Sequence, residues 1–179
     1  VKYSLDKNGT RFYQGGLLKN TLFTPRQDFA VDCQTWGILV LTPREIDRWF
    51  GREGLAYELW ETTKRRSGYY RHGILRGVGY TDGHDMLSVE WTCGAIFAAN
   101  ILADYYKDGR GKIAAQDAHT MREGIDELKR VTGDKVSYYY SNKRKQLPFG
   151  WRANCLPSTT ATAWVYFVDK NYNPFLLGG

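Results

Sequence analysis

Two apolar segments of this chain each carry a carboxylate next to or near an indole. Residues 29–41 read Phe-Ala-Val-Asp-Cys-Gln-Thr-Trp-Gly-Ile-Leu-Val-Leu, and residues 88–99 read Ser-Val-Glu-Trp-Thr-Cys-Gly-Ala-Ile-Phe-Ala-Ala. Apolar residues dominate both, so both are expected to form helices lying mostly in a core. Asp32 and Glu90 are the anomaly. A buried carboxylate loses hydration worth several kcal/mol, roughly, unless it is paired, hydrogen-bonded or protonated. Proteins keep such groups where they cap a helix or do chemistry.

The rest of the pattern is read around these two segments. Asn8-Gly9 between residues 2–5 and 10–13 is a hairpin signal, and residues 17–28 read as a loop. The first helix is expected over residues 29–41, with Asp28 as its N-cap. Thr42, Pro43 and Glu45 mark a restart: a cap, a first-turn proline and a capping-box acid. Further helices are expected over residues 55–66, 89–106, 112–131 and 158–169, with Ser88 capping the helix over 89–106. Residues 69–87 are Gly-rich and too long for a simple connector, which points to a functional loop. It holds Tyr80, Asp82, His84 and Asp85. The recurring loop–helix–turn–helix order predicts a mainly α fold, a toroid or solenoid of helical hairpins. Its division is a small N-terminal β-hairpin and loop over residues 1–28 and a single helical domain over 29–179.

Composition narrows the classes. At 179 residues the chain is long enough for one domain with a real core. No apolar run reaches the roughly 20 residues of a membrane-spanning helix. The net charge of +6 comes from 25 Lys and Arg against 19 Asp and Glu. The basic clusters Lys64-Arg65-Arg66 and Lys143-Arg144-Lys145 fit a helix end and a solvated loop better than a nucleic-acid interface. Cys33, Cys93 and Cys155 form no CxxC pair and the histidines are scattered, so neither a metal nor another cofactor is expected. The chain opens on Val1 without an initiator Met, as in a processed or trimmed chain. An extracytoplasmic or secreted location is the expectation. Aromatic residues make up 15% of the chain, with 6 Trp and 13 Tyr, enough to supply ring-stacking surfaces as well as core.

Three motifs resemble one family. They are Val31-Asp32-Cys33-Gln34-Thr35-Trp36-Gly37, then Ser88-Val89-Glu90-Trp91-Thr92-Cys93-Gly94, then Ala161-Thr162-Ala163-Trp164 through Asn173-Pro174-Phe175. In order and spacing they resemble the six-hairpin (α/α)6-toroid glycosidases, in particular the C-terminal half of bacterial glycosyl-hydrolase-like proteins. The resemblance implies an (α/α) toroid or partial toroid. It also implies a second chain, or an N-terminal half, that completes the ring.

The resemblance further implies a glycoside hydrolase acting on a poly- or oligosaccharide through carboxylate acid/base chemistry. It places the acids at helix starts and in loops, so the candidates are Glu90, Asp32, Asp82 and Asp85. Glu90, in the first turn beside Trp91, is the expected general acid. Burial there raises its pKa while the helix dipole opposes the shift. Asp32 is the expected base or substrate-orienting acid. Trp36, Trp91, Trp151 and Tyr80 are candidate platforms for the CH face of a sugar ring, and Gln34 and Arg152 candidate partners for its hydroxyls or acidic groups. Trp49, Trp60 and Trp164 lie mid-helix and read as core. The rival expectations are a non-catalytic carbohydrate-binding or protein-interaction module, and a polysaccharide lyase or sugar epimerase, the last suggested by the basic charge and by Tyr138 to Tyr140.

Overall fold

The computed structural model of the chain describes residues 5–6, 8–19 and 22–176. The expected hairpin over residues 2–13 lies partly outside them. What is described of it is an antiparallel bridge between Leu5 and Phe12. Asp6 closes the turn by accepting from the Thr10 amide at 2.6 Å and the Thr10 hydroxyl at 2.8 Å. A second hairpin, β1 (Gly16–Lys19) and β2 (Leu22–Pro25), follows where the sequence reads as loop.

Helix α1 (Val31–Leu41) begins after Ala30, which supplies no side-chain cap. The expected cap, Asp28, is not used; the Val31 amide instead donates to the Tyr80 carbonyl at 3.1 Å. Thr42, at φ 62°, turns the chain, and its hydroxyl accepts from the Glu45 amide to start α2 (Pro43–Phe50). Helix α3 (Leu55–Ser67) is capped from a distance. The buried Asp47 carboxylate accepts from the Gly54 and Ala56 amides at 2.9 and 3.0 Å and from the Tyr106 hydroxyl at 2.7 Å.

The Gly-rich stretch is largely a hairpin. Strands β3 (Gly68–Arg71) and β4 (Ile74–Val78) pair antiparallel around His72 and Gly73, both at positive φ. Ser88 then caps α4 (Val89–Tyr105) by accepting from the Trp91 amide at 3.3 Å. Helix α5 (Gly109–Asp126) is capped by Asp108 and stops before β5 (Lys129–Thr132) and β6 (Lys135–Tyr139), which pair around Gly133. After the short pair β7 (Lys145–Gln146) and β8 (Arg152–Ala153), strand β9 (Pro157–Ser158) adds to β6. Ser158 caps the last helix, α6 (Thr159–Asp169).

Helix α4 is the hub. It packs on α1, α5 and α6 and also touches α2, α3 and β4. Its residues from Val89 to Ala99 are buried on every side except Glu90. A helix enclosed all round needs no amphipathic stripe, which is why its sequence is apolar nearly throughout. Gly124 lets α5 approach β4: a Cβ there would lie 1.9 Å from the Arg76 carbonyl oxygen.

This architecture corrects the expected fold class. The described chain is a mixed α/β arrangement, 46% helix and 21% strand, with six helices and four small sheets, and not an (α/α) toroid or partial toroid. The resemblance to the six-hairpin toroid glycosidases is corrected with it. The physical reason is twofold. Segments that read as inter-helix loops form antiparallel hairpins, and the helices gather around α4 rather than pairing into successive hairpins of a ring. No helix among the described residues is long and apolar enough to cross a membrane.

Candidate functional site

Asp32 and Glu90 lie in the first turns of α1 and α4, two helices that pack against each other. One helical turn further on, Trp36 follows Asp32 and Gly94 follows Glu90, so all four positions fall on facing sides of the two helices. The absence of a side chain at Gly94 makes room for the Trp36 indole: a Cβ on Gly94 would lie 2.5 Å from Trp36 Nε1. The Trp36 ring stacks nearly parallel on Trp164 of α6, centroids 5.7 Å apart and planes 10° apart. Phe175 closes the group, 5.4 Å from Trp36 and 5.9 Å from Trp164. The Trp36 indole N–H is buried and has no partner among the described residues.

The Asp32 charge bears on Glu90. Burial raises the Glu90 carboxyl above the usual carboxylate range, and the charge of Asp32 raises it further. The Trp164 indole N–H faces Glu90 and partly offsets this by favouring the ionised form. Asp32 is also raised by burial, opposed by the Cys33 amide, which donates to Asp32 Oδ1 at 2.9 Å. Among the described residues, no lysine or arginine offsets either charge. Both carboxyls are thus raised, Asp32 by burial and Glu90 by burial and the Asp32 charge together, and the two titrate as a coupled pair. The neighbouring Cys33 thiol is pushed up to about 12 by burial and by the Asp32 charge.

A second aromatic group begins at Trp91. Tyr80 stands edge-on to Trp91 at 4.8 Å and to Trp151 at 5.0 Å. Tyr140 lies 6.0 Å from Trp151, and Phe149 lies 6.2 Å from Trp91. Tyr80 and Trp91 are buried, while Tyr140, Phe149 and Trp151 are half-buried. The charge of Glu90 reaches both the Tyr80 and Tyr140 phenols and, with burial, pushes them up. Tyr138 is pushed up as well, chiefly by burial. Phenols so raised are poor bases for proton abstraction.

The remaining sequence candidates lie elsewhere or have other partners. Asp82 accepts from Arg66 at 2.5 and 2.7 Å. Asp85 pairs with Lys143 and, at 2.9 Å, with Lys145, which together hold its carboxyl down to about 2. Asp85 is therefore no proton donor near neutrality. Gln34 is buried and clamps the N-terminal segment: its Oε1 accepts from the Phe12 amide at 2.7 Å, and its Nε2 donates to the Phe12 and Ala30 carbonyls. Arg152 is exposed on β8 beside Trp151.

Four residues of these aromatic groups are not among the sugar platforms the sequence suggests: Trp164, Phe175, Tyr140 and Phe149. Trp164 reads as core because it is mid-helix, yet it is half-buried, whereas Trp60 is fully buried and Trp49 is 46% exposed. The available signal is its register. The buried stripe of α6 runs through Ala161 and Val165, and Trp164 lies at its flank, where a side chain reaches a rim. Compared with protein-family models, curated proteins and solved structures, the chain finds no match in any of the three.

Proposed function

We propose that this chain binds a carbohydrate and hydrolyses a glycosidic bond, with Glu90 as general acid and Asp32 as the carboxylate that activates water or attacks the anomeric carbon. The observation that supports this reading is the Asp32–Glu90 pair itself. Two carboxyls at the starts of packed helices, both raised by burial and Glu90 further by the Asp32 charge, are groups of the kind from which glycoside hydrolysis draws its acid and base. The half-buried indoles beside them offer apolar faces of the kind on which the CH side of a pyranose packs.

The test is release of reducing ends from a panel of polysaccharides by the chain and by Glu90→Gln and Asp32→Asn. Loss of one general acid or base is expected to cost about 10²- to 10⁴-fold in rate with binding retained. Full activity in the double variant would sink the assignment. A second reading, a carbohydrate-binding module without catalysis, is favoured by one observation: Trp36, Trp164 and Phe175 form a continuous half-buried group of rings. Tight saccharide binding by the unmutated chain with no product would select it.

A further inference from the structure

Glu90 is where two separate aromatic groups meet. Consecutive residues of a helix point about 100° apart, so Glu90 faces α1 and α6 while Trp91 turns toward Tyr80 and the segment 149–151. On one side the half-buried rings are Trp36, Trp164 and Phe175; on the other they are Tyr140, Phe149 and Trp151. Within each group the rings lie 5.4 to 6.5 Å from a neighbour, while Glu90 is faced by the Trp164 indole N–H on one side and its charge reaches Tyr140 on the other. A pocket for one terminal sugar needs a single stacking wall. Two walls with Glu90 in reach of both suit a chain that continues in both directions.

The charge of the site adds a second restriction. Most carboxylates of the molecule have cationic partners, such as Asp82 with Arg66 and Asp117 with Lys64. Among the described residues, Asp32 and Glu90 have none. An acidic sugar over the pair would add another negative charge beside Asp32, whose charge already raises Glu90.

Resting on the reading of the site as a glycan hydrolase, we infer that it takes an internal stretch of a neutral glycan chain, with one ring on the Trp36–Trp164 side, another on the Trp151 side, and the bond between them over Glu90.

The test uses cellohexaose, xylohexaose, mannohexaose and, as the acidic counterpart, hexagalacturonate, with binding measured calorimetrically on the Glu90→Gln chain to prevent turnover. One neutral hexaose is expected to bind at least about tenfold tighter than its own disaccharide. Trp164→Leu and Trp151→Leu are each expected to weaken it by roughly 2- to 10-fold, the size of one aromatic contact, and the two losses are expected to multiply. Should either variant fail to fold, the indole N–H resonances of Trp151 and Trp164 in the otherwise unmutated chain replace it; both are expected to shift on adding the hexaose. Loss on one side alone, or preference for hexagalacturonate, would overturn the inference and leave the hydrolase reading standing. Binding of none of the four would overturn both.

Discussion

Asp47 and Asp32 show how differently one residue type is treated in this molecule. Asp47 is buried and receives three hydrogen bonds, two from the start of α3 and one from Tyr106. Its charge is thereby compensated in the way that keeps buried acids tolerable. Asp32 receives one, from Cys33, and Glu90 only the Trp164 indole against burial and a like charge. The sign of the consequence is definite. Glu90, with an ordinary value near 4.5, holds its proton more tightly folded than unfolded. Stability is therefore lost as pH rises from that value through the raised one, and is fully present below it. Glu90→Gln removes the loss, so it is expected to stabilise the chain at pH 7 by about 1 kcal/mol, the usual size for relieving a functional site. Near pH 3.5 the gain is expected to vanish. Urea unfolding at both pH values checks this, and an unchanged or lower midpoint at pH 7 would refute it. The acids were legible as anomalies because a charge in an apolar run stands out. That Asp82 and Asp85 have cationic partners was not, since those partners lie 16 to 60 residues away along the chain.

At the scale of elements, the α1–α4 contact rests on Gly94. Replacing it by Ala brings two opposing effects. Helix propensity favours Ala by about 1 kcal/mol. Against that, the added Cβ would sit 2.5 Å from Trp36 Nε1 and 2.9 Å from its Cδ1. Trp36 has little room to retreat, with Trp164 and Phe175 against it, and overpacking of this kind costs roughly 1–3 kcal/mol. Gly94→Ala is thus expected to destabilise by about 1 kcal/mol and to weaken the near-ultraviolet circular dichroism of the stacked indoles; a more stable protein with an unchanged spectrum would contradict it. The helices were the legible elements, because Ser88, Thr42 and Ser158 announce their starts and their apolar runs are long. The hairpins were not. Gly68–Arg71 and Ile74–Val78 are four and five residues long, too short for alternation to register, and their glycines read as loop.

For the molecule as a whole, the order of motifs is local information, and closure into a ring is not. Apolar runs such as Val89–Ala99 say that a helix is enclosed, but not whether its neighbours form a ring or a shell around it. The choice depends on which long-range pairs form, and one of them is a single side chain. Gln34 joins residues 5–12 to the helical body through the Phe12 amide and carbonyl. Gln34→Ala leaves both backbone groups buried and unpaired, at about 1–3 kcal/mol for such a group. The expected outcome is a loss of roughly 2 kcal/mol and much faster hydrogen exchange at the Phe12 amide. Unchanged protection there would show that the segment is held by other contacts.

Cys33 carries a last consequence of the Asp32 environment. With its thiol pushed up to about 12, the fraction present as thiolate near neutrality is on the order of one in a hundred thousand. Peroxide and alkylating reagents attack the thiolate, so this sulfur, although next to a carboxylate, is chemically silent. Burial, with the Asp32 charge added to it, shields this sulfur from electrophiles and from oxidative damage.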